Sequence, residues 1–211
     1  MSRNKIDWLD TLGEGYLQHA LDRLCGQAEP LVWPQQVAEI IFPSELTGPK
    51  VLVEAGCCVG TAYKTFRRPN LKYVGLDFTP RYIEEAKKYF ADDSNCRFAV
   101  HDITKPFPIT GDYMVCSACL EHIKDYPSAF LNLIDATKEH LVLRTFLGYK
   151  YEWFISKIGL PIQQFSFDYI LGNLDIEGFT VKVYRDRYTD GIPQLQQGAV
   201  RTLYVISAQR K

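Results

Sequence analysis

Val51-Leu52-Val53-Glu54-Ala55-Gly56-Cys57-Cys58-Val59-Gly60 is the stretch that decides the fold. A short apolar run, closed by an acid and broken by a glycine turn, is the pattern of a buried strand in a parallel sheet. The sequence beyond the turn reads as a helix. Gly56 and Gly60 lack Cβ, so a ligand can approach the backbone closely, and a helix placed there presents unpaired N–H groups. Twenty-one positions after Gly56, a second run ends at Gly75-Leu76-Asp77. A carboxylate at that point can accept hydrogen bonds from both hydroxyls of a ribose, so a nucleoside-containing ligand is expected.

Outward from this stretch the same alternation continues. Apolar or β-branched runs at 51–54, 73–77, 96–100, 113–117 and 140–145 are separated by segments mostly long enough for crossover helices. That pattern predicts an α/β fold, doubly wound, with a mostly parallel sheet. Thr79-Pro80 supplies an N-cap and a first-turn proline for a helix running to about residue 90. Two further runs, 179–184 and 200–207, flank a turn-rich segment and are expected to form an antiparallel pair that closes a seven-stranded sheet with an antiparallel last strand. Before the first strand, residues 6–24 follow a helical period that Gly13 and Gly15 weaken, and 35–41 form a second helical candidate. The 211 residues therefore divide into an N-terminal helical cover, 1–47, and one domain, 48–211, with an insertion at about 146–165.

Composition narrows the partners. With 46% hydrophobic residues, 13% aromatic and 23% charged, the chain can bury a core. Its formal net charge of -1 offers no global field for nucleic acid or an anionic membrane, so neither is expected as a partner. No apolar stretch reaches the ~18–20 residues that span a bilayer, and Met1 to Asp10 lacks a secretory apolar region, so a cytoplasmic location is expected. Six cysteines, two of them adjacent at Cys57 and Cys58, suit free thiols better than a disulfide scaffold.

The glycine spacing selects among nucleoside ligands. A dinucleotide fingerprint needs small residues at three positions, and here they fall on Gly56, Cys58 and Thr61, failing at two. No phosphate loop ending in Gly-Lys-Ser/Thr is present either. At this point the chain resembles the class I S-adenosylmethionine-dependent methyltransferases, in particular those acting on small molecules, with their Rossmann-like fold. Four motifs in order carry the resemblance: residues 54–60, the acid in Gly75-Leu76-Asp77-Phe78-Thr79-Pro80, Asp102 after the third strand, and Ser117-Ala118-Cys119-Leu120-Glu121-His122 after the fourth. The resemblance implies S-adenosylmethionine as cofactor and S-adenosylhomocysteine (SAH) as product. It implies that Gly56, Cys57 and Gly60 admit the methionine part with Glu54 near its ammonium group. Asp77 would hold the ribose and Phe78 pack on adenine. Asp102 would accept from the adenine amino group beside the Ile103 backbone, and Ser117 would lie near the ammonium. The family usually has glycine where this chain has Cys58.

His122 would sit near the reactive end of the cofactor, where an acceptor's proton can be removed, and is the candidate catalytic residue; a packed histidine at that turn is the other reading. His101 flanks Asp102 without an evident task. Cys116-Ser117-Ala118-Cys119 with His122 has metal-type spacing, but no second ligand pair exists, so no metal is expected. Asp77 and Asp102 also have plainer readings, as helix cap and turn former. Aromatic residues at Tyr149, Tyr151 and Trp153 in the insertion, and Trp8, Tyr16 and Trp33 in the cover, are the candidate acceptor walls. The fourth strand ends without the Asn-Pro-Pro-Tyr signature of base-amino methylation, so a small-molecule oxygen or nitrogen is the expected acceptor. Methylation of a protein or RNA, and cofactor binding without transfer, are the alternatives.

Overall fold

The computed structural model describes residues 13–42, 45–155, 161–187, 194–196 and 199–211. Strands β1 (Lys50–Ala55), β2 (Leu71–Asp77), β3 (Cys96–Val100), β4 (Gly111–Ser117) and β5 (Thr137–Gly148) form a parallel array in the order β3-β2-β1-β4-β5. The expected terminal pair is present as β8 (Phe179–Arg185) and β10 (Ala199–Arg210), with β10 inserted between β5 and β8 and antiparallel to both. All seven expected runs are strands. Three strands exceed the expected number: β6 (Glu152–Ile155), β7 (Pro161–Ser166) and β9 (Gln194–Gln196) bring the sheet to ten among the described residues.

Strand alternation divides the core between the two faces. Val53, Ala55, Met114, Cys116, Leu141 and Leu143 point to one side and pack with α5 (Tyr126–Asp135) and α6 (Phe167–Ile176) through Phe130, Leu133, Ile170 and Leu174. Leu52, Tyr73, Tyr113, Val115 and Val142 point to the other, against α2 (Trp33–Ile41), α3 (Tyr63–Phe66) and α4 (Pro80–Tyr89). The sheet is therefore covered on both faces, which is why its strands read as nearly continuous apolar runs.

One element differs from expectation. The helix expected after the glycine turn is the single turn α3, because Arg68 precedes Pro69 and the residue before proline is pushed out of the helical region. Neighbouring α2 covers the face that α3 leaves. Within the expected insertion, 146–165, the described residues form a β-ribbon: β6 pairs with β7, and β7 continues the sheet beside the end of β5 through Leu147↔Phe165 and Gly148↔Ser166. Helix α1 (Glu14–Cys25) overlaps the expected 6–24 region and ends one residue past it, bounded by Gly13 and by Gly26, whose φ of 78° closes it. Its Leu17, Ala20 and Leu24 pack on Val59 and Tyr82. No helix among the described residues is long and apolar enough to cross a membrane.

Candidate cofactor and active site

At the carboxyl end of the parallel strands lies a cavity of about 330 Å3, the size range of small-ligand sites and the place where α/β sheets bind ligands. Each strand end delivers one side chain. Glu54, 3% exposed, ends β1 on the same face as Leu52 and accepts a hydrogen bond from Tyr73 Oη at 2.5 Å. Burial pushes its carboxyl up to about 8, against the Tyr73 bond, which pulls it down, and with the Asp77 charge adding to the rise. At neutral pH this carboxyl is chiefly protonated.

The turn that follows is built on positive φ. Gly56, Cys58 and Gly60 have φ of 79°, 50° and 78°. Gly56 and Cys57 both donate their N–H to Leu76 O, at 2.8 and 3.0 Å, which ties the turn to β2. Asp77 completes the tie: its Oδ2 accepts from Cys58 N at 2.9 Å and its Oδ1 from Thr79 N at 2.9 Å. The side chain also borders the cavity, where a carboxylate can accept from ligand hydroxyls. Asp102 Oδ1 accepts from Thr104 N and Oγ1 at 3.1 and 2.8 Å, so its turn-forming role is present, and its side chain still borders the cavity.

His122 ends a short 3-10 turn, Leu120–His122, with Nδ1 2.9 Å from Pro161 O. A carbonyl oxygen only accepts, so Nδ1 carries the proton and, in the neutral ring, Nε2 keeps the lone pair a base requires. Gln163 of β7 steadies the same turn by donating to Ile123 O at 2.6 Å. The ribbon thus serves the site through His122 rather than through its aromatic residues.

Of the expected residues, Glu54, Gly56, Cys57, Asp77, Phe78, Asp102, Ile103, Ser117, His122 and Tyr16 border the cavity together, and so does Trp33. Gly60 does not: a Cβ there would meet Phe98 at 2.6 Å, so this glycine makes room for an aromatic ring. Tyr149, Tyr151 and Trp153 do not border it either. Tyr149 is 99% exposed, and Tyr151 donates to Gln163 Oε1 at 2.8 Å while stacking on Tyr126. Trp8 lies outside the described residues.

The polar wall is incompletely satisfied. Arg23 Nε, Thr79 Oγ1, His101 Nε2 and Ser117 Oγ are buried without hydrogen-bond partners among the described residues, and all four residues border this one cavity. Buried polar groups are ordinarily paired, so such a cluster fits a site built for a polar ligand. Acids at two strand ends, a glycine turn and these groups match the chemistry of a nucleoside joined to an amino acid. Among the described residues no group of three or more His, Cys, Asp or Glu is arranged to hold a metal ion.

Residues 53–140 match the family model described as a methyltransferase domain. Over that span, a little under half of its length, the chain is similar to methyltransferase domains. A TehB-like S-adenosylmethionine-dependent methyltransferase from Corynebacterium glutamicum is 17% identical, with a TM-score of 0.63 over 94% of this chain and 97% of that one. The N-terminal domain of EvdMO1, crystallised in the presence of SAH and D-fucose, is 13% identical with a TM-score of 0.66 over all of both chains. The [4+2]-cyclase SpnF is 15% identical with a TM-score of 0.63, over 84% of this chain and 79% of that one. At these identities the likeness establishes the class I methyltransferase fold. A comparison with curated proteins finds no match.

Several residues on the cavity wall carry no sequence motif: Arg23, Leu31 and Arg144 reach it through long-range packing alone. Cys58 is the exception, visible in sequence as a departure from glycine. Its left-handed backbone costs a side-chain-bearing residue about 1–2 kcal/mol, which glycine avoids at the expense of its own greater chain entropy. Cys58→Gly is therefore expected to keep or raise thermal stability and to keep or tighten SAH binding. Calorimetry showing a large loss of affinity would contradict this account.

Proposed function

We propose that the chain binds S-adenosylmethionine and transfers its methyl group to an oxygen or nitrogen of a small-molecule acceptor. The observation that carries this reading is the convergence of Glu54, Asp77, Asp102 and Ser117, from the ends of four adjacent parallel strands, on one cavity whose wall holds unpaired buried polar atoms. Asp77 would hold the ribose, Asp102 and Ile103 the adenine edge, Phe78 its face, and Glu54 with Ser117 the ammonium end. The cofactor supplies a methyl group already activated on a positively charged sulfur. What remains for the protein is alignment, exclusion of water and removal of the acceptor's proton.

The last task falls to His122 Nε2, oriented by the Pro161 carbonyl. His122→Ala is expected to slow single-turnover methyl transfer by about 100-fold or more while SAH affinity stays unchanged. Equal single-turnover rates in both proteins would remove His122 from the mechanism. A small acceptor is supported by the near-neutral charge and by the absence of a base-presenting signature at Val115-Cys116-Ser117. The neighbours crystallised as EvdMO1 with SAH and D-fucose, and as magnesium protoporphyrin IX methyltransferase from Synechocystis, are in keeping with that class. SpnF, a cyclase by its description, shares the fold, so cofactor binding without transfer is the competing reading. Screening metabolite extracts with labelled S-adenosylmethionine separates the two: a labelled small product supports transfer, whereas tight SAH binding without any labelled product supports binding alone.

A further inference from the structure

Two guanidinium groups border the cavity, and their surroundings differ. Arg144 donates from Nε and Nη2 to the two oxygens of Asp186 at 2.7 and 3.0 Å, so its charge is neutralised inside the wall. Arg23 makes no ion pair among the described residues, and its Nε is buried without a hydrogen-bond partner. Arg23 as a whole is half-buried, but a buried donor atom left in this state is costly unless a ligand acceptor completes it, and an anion suits a guanidinium best.

The lie of α1 shows which end of the cavity Arg23 serves. Near its start, the Tyr16 ring is 6.4 Å from that of Tyr82 on α4, the helix that follows Asp77. Near its end, Leu24 O accepts from Lys64 Nζ at 3.0 Å, on the turn of helix that follows the glycine loop. The helix therefore runs across the opening from the Asp77 side to the loop side, and Arg23 adjoins Leu24 at the loop end. Its positive charge is felt by the Cys58 thiol, in keeping with that placement.

Under the cofactor reading above, on which this step rests, the loop end receives the amino-acid part of the ligand. That part is a zwitterion. Glu54 and Ser117 answer its ammonium group, and the carboxylate is left without a cation. We propose that Arg23 binds the α-carboxylate of the ligand, making this a site for nucleoside sulfonium or thioether compounds that carry a complete α-amino acid. The bond also fastens α1 across the cavity, between Gly13 and Gly26, so that the cover is held shut by ligands with a carboxylate and not by nucleosides lacking one.

Calorimetry with SAH and with its decarboxylated analogue, which keeps the nucleoside, sulfur and amine, tests the assignment in wild type, Arg23→Gln and Arg23→Lys. Wild type is expected to prefer SAH. Arg23→Gln is expected to weaken SAH by about 10- to 100-fold, the worth of a charge-assisted bond, and to leave the analogue's Kd unchanged, with Arg23→Lys recovering part of the loss. An equal loss for both ligands means that Arg23 only supports α1 and overturns the proposal, as does no loss for either. Wild type binding neither ligand would instead overturn the cofactor reading itself.

Discussion

Replacing Asp77 by alanine is expected to weaken SAH binding by about 100-fold or more, since two charge-assisted hydrogen bonds to ribose hydroxyls are each worth about 1.5–3 kcal/mol. The loss has a second source in the protein. Asp77 Oδ2 holds the N–H of Cys58, a residue at φ 50° that would leave this left-handed conformation without support. Alanine therefore removes the ribose acceptor and loosens the loop beside it. Asp77→Asn separates these contributions: its amide oxygen can still accept the Cys58 N–H, whereas its NH2 group cannot accept from a hydroxyl. The expected affinity order is wild type, then asparagine, then alanine, with circular dichroism unchanged throughout. Unaltered calorimetric affinity in the alanine protein would sink the assignment of this cavity.

Asp77 also shows why much of the site was legible in the sequence. A strand end, a glycine turn and an acid at the next strand end are local patterns, and the parallel order β3-β2-β1-β4-β5 brings such ends side by side. Hidden features were non-local ones or ones decided by competition. Pro69 cuts the first crossover to one turn although the apolar pattern would carry it further. The aromatic residues at Tyr149, Tyr151 and Trp153 suggest a pocket wall, but pairing of β6 with β7 turns them outward or into the ribbon's own contacts. Arg144 and Asp186, buried at 5% and 0% exposure, meet across 42 positions of sequence, and neither has a neighbour in the chain that announces the other. Gly60 was readable as special but for a different reason: a phenylalanine ring, not a ligand, occupies the space its missing Cβ leaves.

Glu54 supplies the other large effect, and it is one of pH. Its carboxyl titrates near 8 in the folded protein and at the ordinary value of 4.5 when unfolded. Between those values the folded state holds one more proton, so stability falls as pH rises through the window, by about 1.4 kcal/mol per unit at most. His140 acts in the opposite sense: burial beside Ser207 lowers it to about 4, so stability falls as pH drops from 6.5 toward 4. The two slopes oppose each other in mildly acid solution, and that of Glu54 stands out from about 6.5 to 8. Glu54→Gln keeps an oxygen for the Tyr73 hydroxyl but cannot ionise. Its stability relative to wild type, from urea titrations at intervals between pH 5 and 8, is expected to rise by about 3 to 4 kcal/mol across that range. A pH-independent difference would mean that Glu54 is ionised in the empty site. Ligand binding should reverse the preference, because an ammonium group beside Glu54 favours the carboxylate. SAH binding at pH 7 is then expected to release close to one proton in wild type and none from this position in Glu54→Gln, read from binding enthalpies in buffers of different ionisation heat. The same carboxyl thus costs the empty protein stability at alkaline pH and contributes to affinity once a cation lies against it.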